Sequence, residues 1–268
     1  MNSIQISIEA KEEQQEVLIS QLSDLGADGF EQTDNYLIAY FNENNFKSYD
    51  INQLLKGLRF ITMTIEEKNW NEEWETNFQP VIVHQFCAIR AEFHKPIKDV
   101  HHEIIITPKM SFGTGHHATT YMMIEQMQDI DFTNKTVFDF GTGTGILSIL
   151  AEKMGASQIT AIDIDGWSIA NARDNFETNR CSKISLNLSA QIPYGLFDII
   201  LANINRNVIV SYLPQLARAL KENSLVLLSG LLVCDLQDIV EAFKEEKIKL
   251  IRQTERNNWV SLLLIKVI

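Results

Sequence analysis

The fold of this chain is decided by the stretch VFDFGTGTGIL, residues 137–147. A mostly apolar run leads into three alternate glycines and then into a second apolar run, which is the pattern of a buried strand turning into a helix. Small residues at such a turn let a ligand approach the backbone. The stretch therefore predicts a ligand-binding turn in an α/β domain.

The sequence that follows predicts how this domain continues. Beyond residue 135, short apolar runs alternate with amphipathic segments, as is typical of a parallel sheet covered by helices on both faces. We expect helices to fill the gaps between the strands. The expected strands are residues 136–140, 158–163, 184–188, 197–202, 225–230, 249–253 and 259–267.

The N-terminal part of the chain has a different pattern. Residues 3–65 are predicted to run β-α-β-β-α-β, the split-βαβ order of ferredoxin-like domains. The segment that follows places Trp70, Trp74 and Phe78 on one helical stripe before Pro80, which predicts a linker helix. We therefore expect a ferredoxin-like domain at residues 1–65, a linker helix at 66–80 and a seven-stranded Rossmann-like α/β domain at 81–268.

The composition of the chain limits the classes of binding partner and the cellular location that we expect. The chain has 35 acidic and 23 basic residues, and this net charge of -12 disfavours direct binding to nucleic acid and favours a basic protein partner. Its N-terminus lacks the blocks of a signal peptide, and no stretch is as long as a membrane span. We expect a cytoplasmic protein without a membrane partner. It should be a monomer, since no exposed apolar stripe is evident beyond residues 70–78.

The glycine turn does not fit the common nucleotide motifs. A nicotinamide fingerprint needs Gly or Ala where Ile146 stands, and a phosphate-binding P-loop needs Lys followed by Ser or Thr. Asp163 ends the next strand, where it can accept hydrogen bonds from both hydroxyls of a ribose. This combination is similar to the first two motifs of Rossmann-like methyltransferases. The motif residues are Asp139, Gly141, Gly143, Gly145 and Asp163.

Asn203 ends the fourth strand of the predicted sheet, at the edge where open α/β sheets bind their ligands. Its carbonyl oxygen can accept an N–H from an amine nucleophile and so direct the lone pair. The alternative is an asparagine that only forms a turn.

A second glycine-containing loop, MSFGTGHHATT at residues 110–120, precedes a predicted helix. Glycines beside threonines that can cap a helix suit a lid over a bound cofactor. The adjacent His116 and His117 do not suggest a metal site, because neighbouring side chains diverge and no acidic cluster accompanies them.

These motifs together resemble one family over essentially the whole chain. WNEEW at 70–74, FGTGHHATT at 112–120, DFGTGTGIL at 139–147, DID at 163–165, NI at 203–204 and LSGL at 228–231 are similar to PrmA, the ribosomal protein L11 methyltransferases. The resemblance implies S-adenosylmethionine as cofactor, S-adenosylhomocysteine as product, and no metal. It also implies methyl transfer to lysine ε-amines and the N-terminal α-amine of ribosomal protein L11, which the N-terminal domain docks.

The resemblance implies a set of site residues. Asn203 is the expected catalytic residue and also contacts the cofactor. The other expected cofactor-binding residues are Phe112, Gly113, Thr114, Thr120, Asp139, Gly141, Gly143, Gly145 and Asp163.

The chain departs from the family pattern at four positions, none of which removes an expected contacting group. They are His116 for Thr, Ala118 for Pro, Thr142 for Cys and Gly166 for Pro. Asn205 also stands where an apolar residue is expected, and this departure bears on the shape of the amine slot near it. Two other functions stay open. One is a Rossmann-like methyltransferase of another protein or a small molecule, and the other is a nonenzymatic binding module, against which the intact motifs argue.

Overall fold

The structure is a computed structural model that describes residues 3–33, 35–43, 46–65, 78–107 and 113–267. Most of the predicted linker helix, with Trp70 and Trp74, lies outside the described residues, as does Phe112. The chain divides into two compact units, Met1–Phe78 and Gln79–Ile268.

The smaller unit is an antiparallel sheet with helices against one face. In its described part the strand order is β2-β3-β1-β4. Leu18 and Leu22 of α1 pack with alternate residues of β1 in a common core, as an apolar helical stripe on a pleated surface should. The elements are β1 (Ser3–Glu9), α1 (Glu12–Asp24), β2 (Ala27–Gln32), β3 (Tyr36–Asn42), α2 (Ser48–Leu54) and β4 (Phe60–Ile65).

The opposite face of this sheet carries exposed apolar side chains. Ile61 is 67% exposed and Met63 58% exposed. They pair across the strands with Ser7 and Gln5 of β1, so both project from the same face. The expectation that no apolar stripe besides residues 70–78 is exposed was therefore wrong, because alternation along β4 leaves one of its faces apolar.

The larger unit contains a small sheet and a large one. The small sheet has the order β5-β6-β7, and the large one, over the described residues, has the order β10-β9-β8-β11-β12-β14-β13. The strands are β5 (Val81–Val83), β6 (Cys87–Ala91), β7 (His102–Ile106), β8 (Thr136–Phe140), β9 (Gln158–Asp163), β10 (Ile184–Leu188), β11 (Phe197–Asn203), β12 (Leu220–Leu232), β13 (Ile248–Arg256) and β14 (Trp259–Lys266).

Strands β8 to β12 of the large sheet are parallel, and β14 runs antiparallel to both of its neighbours. This confirms the predicted parallel sheet. Helices connect most of the strands. They are α3 (Ala118–Met127), α4 (Ile146–Lys153), α5 (Gly166–Thr178), α6 (Arg206–Arg218) and α7 (Leu236–Glu245). None of the helices in the described ranges is long and apolar enough to cross a membrane.

The strand order reverses between β8 and β11. From β8 the chain moves outward to β9 and β10, and then returns to place β11 on the other side of β8. At such a reversal the loops after the two central strands separate and leave a crevice. The glycine turn after β8 and Asn203 at the end of β11 therefore lie at the same edge of the sheet.

Two sequence-based expectations about these elements were wrong. No helix fills the gap between β10 and β11, since residues 189–196 form bends and irregular chain in the described structure. Pro193 and Gly195 stand within this short crossing and disfavour a helix. Strand β12 is also longer than predicted, beginning at Leu220 instead of residue 225.

Candidate active site at the carboxyl edge of the parallel sheet

The glycine turn after β8 has a left-handed backbone. Gly141, Gly143 and Gly145 have φ values of 75°, 56° and 82°, which favour glycine. A side chain on Gly141 would overlap the side chain of Ile204, and one on Gly145 would overlap the ring of Phe176. The expectation that small residues here leave space for a ligand therefore needs correction at these two positions, where the space is occupied by the protein itself.

Asp139 is buried beneath this turn, with 1% of its surface exposed. Its Oδ2 accepts hydrogen bonds from the hydroxyls of Thr142 and Ser148, both at 2.6 Å. Its Oδ1 is buried and has no partner among the described residues. Burial raises the pKa of Asp139 to about 6 in spite of these hydrogen bonds, and the nearby charge of Asp163 adds to the effect. A cation or a hydrogen-bond donor beside Oδ1 would relieve the cost of this buried carboxylate.

Asp163 connects the end of β9 to the glycine turn. Its Oδ2 accepts a hydrogen bond from the Gly143 N–H at 2.9 Å, and its Oδ1 accepts one from the Asp165 N–H at 3.0 Å. A carboxylate has about four acceptor positions. The side chain therefore keeps about two acceptor positions for further donors.

Asn203 and Thr120 form a pair at the end of β11. The Asn203 Nδ2 donates a hydrogen bond to the Thr120 Oγ1 at 3.2 Å, and Thr120 is 2% exposed in the first turn of α3. The Asn203 Oδ1 is buried and has no partner in the described part of the chain. Because the two amide atoms are interchangeable in shape, either orientation of the amide leaves one of them unsatisfied. Such an atom is satisfied when a ligand brings a partner.

The structure does not support a purely turn-forming role for Asn203. Its amide bonds to Thr120, which is 83 residues away. Asn205 instead caps α6, since its Oδ1 accepts a hydrogen bond from the Val208 N–H at 3.1 Å. The unusual residue at position 205 is thus explained by helix capping.

The LSGL segment of β12 supports the turn after Asn203. The Ile204 N–H donates to the Ser229 carbonyl at 3.2 Å, and Gly230 lies so close to Ile204 that a side chain would overlap the Ile204 carbonyl group. The Ser229 hydroxyl in turn donates to the Val260 carbonyl at 2.8 Å. Sequence reasoning noted this segment only as a family motif and missed its supporting role.

Among its described residues, the loop before α3 is joined to the glycine turn by one hydrogen bond. The Thr144 hydroxyl donates to the Gly113 carbonyl at 2.6 Å. Thr114 bonds instead with His116, and the other ring nitrogen of His116 contacts the Gln79 carbonyl at 2.8 Å. The cap of α3 is the His117 side chain, not a threonine as expected. No cluster of potential ligands in the described ranges could hold a metal ion.

Comparison with known proteins identifies the family. A family model described as ribosomal protein L11 methyltransferase (PrmA) matches residues 37–266. The ribosomal protein L11 methyltransferase of Porphyromonas gingivalis is 38% identical over 92% of this chain and 89% of that protein. The one from Phocaeicola vulgatus is 34% identical over 93% of each. The crystal structure of a ribosomal protein L11 methylase from Lactobacillus delbrueckii subsp. bulgaricus is 28% identical, with a TM-score of 0.66 over 71% of this chain and 100% of that chain.

These matches confirm the resemblance found in the motifs. The chain belongs to the ribosomal protein L11 methyltransferase (PrmA) family.

Proposed function

We propose that this protein transfers methyl groups from S-adenosylmethionine to ribosomal protein L11, at lysine ε-amines and at the N-terminal α-amine. The observation that carries this proposal is the Asn203–Thr120 pair, which leaves one buried amide atom without a partner among the described residues, at the carboxyl edge of the sheet. The names of the relatives support the substrate.

The described residues fit the proposed cofactor. Asp163 has acceptor capacity for the two ribose hydroxyls, and the unpaired Oδ1 of Asp139 suits a positively charged group nearby. The remaining contacts are proposed from the family resemblance and come from Phe112, Gly113, Thr114, Thr120 and the glycine turn. When bound, S-adenosylmethionine supplies an electrophilic methyl group on a sulfonium and becomes S-adenosylhomocysteine.

The nucleophile must be a neutral amine. At pH 7 a lysine must lose its proton at a cost of roughly 4 to 5 kcal/mol, whereas an α-amine costs about 1 kcal/mol. We infer that Asn203 accepts one N–H of the amine and so orients its lone pair. In the described contacts, neither Asp139 nor Asp163 is connected to Asn203. Proton loss to water is therefore the simplest route, with positioning and desolvation supplying the rate enhancement.

We further propose that the smaller unit is a ferredoxin-like domain that recognises the protein substrate. Its strand order, β2-β3-β1-β4, supports this assignment. Ile61 and Met63 give one sheet face exposed apolar area of the kind used in protein interfaces. The net charge of -12 favours a basic partner over a nucleic acid.

Mass spectrometry of purified ribosomal protein L11 after incubation with the protein and S-adenosylmethionine tests the proposal. We expect mass gains of whole methylene units with the wild type and none with Asn203→Ala. Asn187→Ala, at an exposed position of β10, is the matched control and should behave as the wild type.

The other outcomes separate the rival functions. No mass gain with cofactor binding intact in calorimetry would show a methyltransferase of another substrate. No heat on adding S-adenosylmethionine would show a nonenzymatic module. An Asn203→Ala variant with an unchanged rate would remove Asn203 from the mechanism.

A further inference from the structure

A cluster of polar side chains joins the last turn of α3 to strands β13 and β14. Its centre is Gln126, which is 2% exposed. The Gln126 Nε2 donates to the Ser261 Oγ at 2.9 Å and to the Thr254 Oγ1 at 3.3 Å. Its Oε1 accepts a hydrogen bond from the Arg252 Nε at 3.2 Å. Thr254 and Ser261 are paired across the two strands, so the amide of Gln126 binds both members of one cross-strand pair.

The partners of Gln126 determine the orientation of its amide. An arginine side chain has only donors, so the amide atom that faces Arg252 must be the oxygen. Arg252 also donates to the main-chain carbonyl of Gln126 at 3.1 Å and forms an ion pair with Asp129, just beyond α3. Both polar atoms of the amide are therefore bound, and the contacts between helix and strands are directional.

The rest of the contact between α3 and the sheet is apolar and rich in methionine. Met122, Met123 and Met127 are each at most 1% exposed, and α3 packs against β12, β13 and β14. Methionine is flexible and fits many packing arrangements. A fully bonded polar group permits few, because a shift would leave buried donors and acceptors without partners. The contacts of Gln126 therefore favour one position of α3 on the sheet.

The cluster also reaches the strand that supports the end of β11. The Ser261 hydroxyl accepts from Gln126 and donates to the Leu228 carbonyl at 3.0 Å. The next residue of β12, Ser229, accepts the Ile204 N–H at 3.2 Å. The helix and the strand that hold the two members of the candidate catalytic pair are thus joined through one hydroxyl.

The position of α3 matters because Thr120, in its first turn, accepts the hydrogen bond from Asn203 at 3.2 Å. Gln126 lies six residues further along, about 9 Å along the helix axis. A shift of α3 by only about 0.4 Å would lengthen the contact beyond hydrogen-bonding distance. We propose that Gln126 is a positioning residue for methyl transfer, which holds α3 where Thr120 orients the amide of Asn203. Its effect on turnover rests on the proposed function, whereas its effect on the Asn203 amide does not.

Combining Gln126→Met with Thr120→Val in the full chain tests the proposal. Methionine has the length of glutamine but cannot replace its hydrogen bonds. We expect Gln126→Met to lower kcat about fivefold and Thr120→Val to lower it about tenfold. Because both changes act on the same hydrogen bond, the double variant should be only about tenfold slower than the wild type. Independent effects would multiply to about fiftyfold.

Ser224→Ala is the matched control for loss of a buried hydrogen bond. The Ser224 hydroxyl is in β12 and donates to the Lys221 carbonyl of the same strand. The control should lower the free energy of unfolding but leave kcat unchanged, with or without Thr120→Val. Thr254→Val removes one contact of the cluster at a half-buried position and serves if Gln126→Met does not fold. It should lower kcat about twofold in the wild type and not at all beside Thr120→Val.

Nuclear magnetic resonance of side-chain amides gives a readout that needs no methyl transfer. The Asn203 amide signals, identified by their loss in Asn203→Ala, should shift in Gln126→Met towards their positions in Thr120→Val. They should not shift in Ser224→Ala. Multiplied rate effects in the double variant overturn the proposal, as do Asn203 signals that shift in neither Gln126→Met nor Thr254→Val. Shifted signals in a protein that does not methylate ribosomal protein L11 would keep the positioning of the amide and reject the proposed function.

Discussion

Gly230 lies against the backbone of Ile204 so closely that a β-carbon at position 230 would overlap the Ile204 carbonyl oxygen. Ile204 directly follows Asn203, so this approach sets the path of the chain at the end of β11. Gly230→Ala should displace the turn and strain its own backbone, which has a φ of 85°. We expect a loss of about 2 to 4 kcal/mol in the free energy of unfolding, together with a loss of methyl transfer.

Gly155→Ala is the matched control for this change. Gly155 also has a positive φ, of 99°, but its added β-carbon would meet its nearest neighbour, the Thr133 Cα, at an ordinary 3.5 Å. Denaturant unfolding should show a loss of about 1 to 2 kcal/mol from backbone strain alone, with turnover retained. Equal effects of the two substitutions would contradict a specific role for the Gly230 approach.

Thr120→Val tests whether Thr120 orients the amide of Asn203. Valine has the same shape but cannot accept the hydrogen bond from the Asn203 Nδ2. We expect kcat to fall about tenfold, which corresponds to the loss of one hydrogen bond in the transition state. Thr120→Ser should restore most of the rate in steady-state assays. A serine variant as slow as the valine variant would indicate that packing, not the hydroxyl, is what matters.

Asp139→Asn should make the protein more stable at neutral pH. Burial raises the pKa of Asp139 to about 6 from 3.8, so the folded state holds a proton that the unfolded chain loses between these values. The free energy of unfolding therefore falls as the pH rises through this window, by about 3 kcal/mol in total. Asparagine avoids this loss and can still accept the two hydroxyl hydrogen bonds.

Denaturant unfolding at about pH 7 and about pH 3, roughly one unit beyond each end of the window, measures this effect. The variant should exceed the wild type in stability at the higher pH, and the difference should shrink at the lower pH. Calorimetry should show weaker binding of S-adenosylmethionine, because the buried negative charge is lost. A variant less stable than the wild type at both values would contradict the assigned cause.

Asp198→Asn should have the opposite effect on stability. Burial opposes ionisation of Asp198, but hydrogen bonds from Lys221 and Thr136 outweigh it and lower the pKa to about 2. The stabilisation is present above the unfolded pKa of 3.8 and is lost as the pH falls through about 2. We expect the variant to lose about 2 kcal/mol at pH 7 in urea unfolding. Its deficit should diminish with acidification, and a deficit that is independent of pH would point to packing instead.

The parallel strands could be predicted well from the sequence. The bounds of β8, β9 and β10 coincide with those expected. β8 and β9 are central parallel strands, which read as short apolar runs. β10 lies at the edge of the sheet and alternates apolar and polar residues, as a half-buried strand does. The connection between β10 and β11 could not be predicted in this way. Consecutive parallel strands are usually connected by a helix, so a helix was expected here. Pro193 and Gly195 disfavour a helix, and the connection is short and irregular.

The sequence predicts which residues belong to the candidate site, but not which residues they contact. Strand ends and the glycine turn identify Asp163 and Asn203 as candidates, because ligands bind at the carboxyl ends of parallel strands. Their partners lie far away along the chain, as Thr120 does from Asn203. Local periodicity contains no information about such pairs.

β14 lies inside the large sheet although it is synthesised after both of its neighbouring strands. β14 follows β13 in the chain but lies between β12 and β13, and the Ser261 hydroxyl donates to the Leu228 carbonyl at 3.0 Å. The LSGL segment, which contacts Ile204, is therefore held by a hydrogen bond from a residue that is translated after it. Domains generally fold as units during synthesis, so a nascent chain that has not yet released Ser261 from the exit tunnel should be catalytically silent.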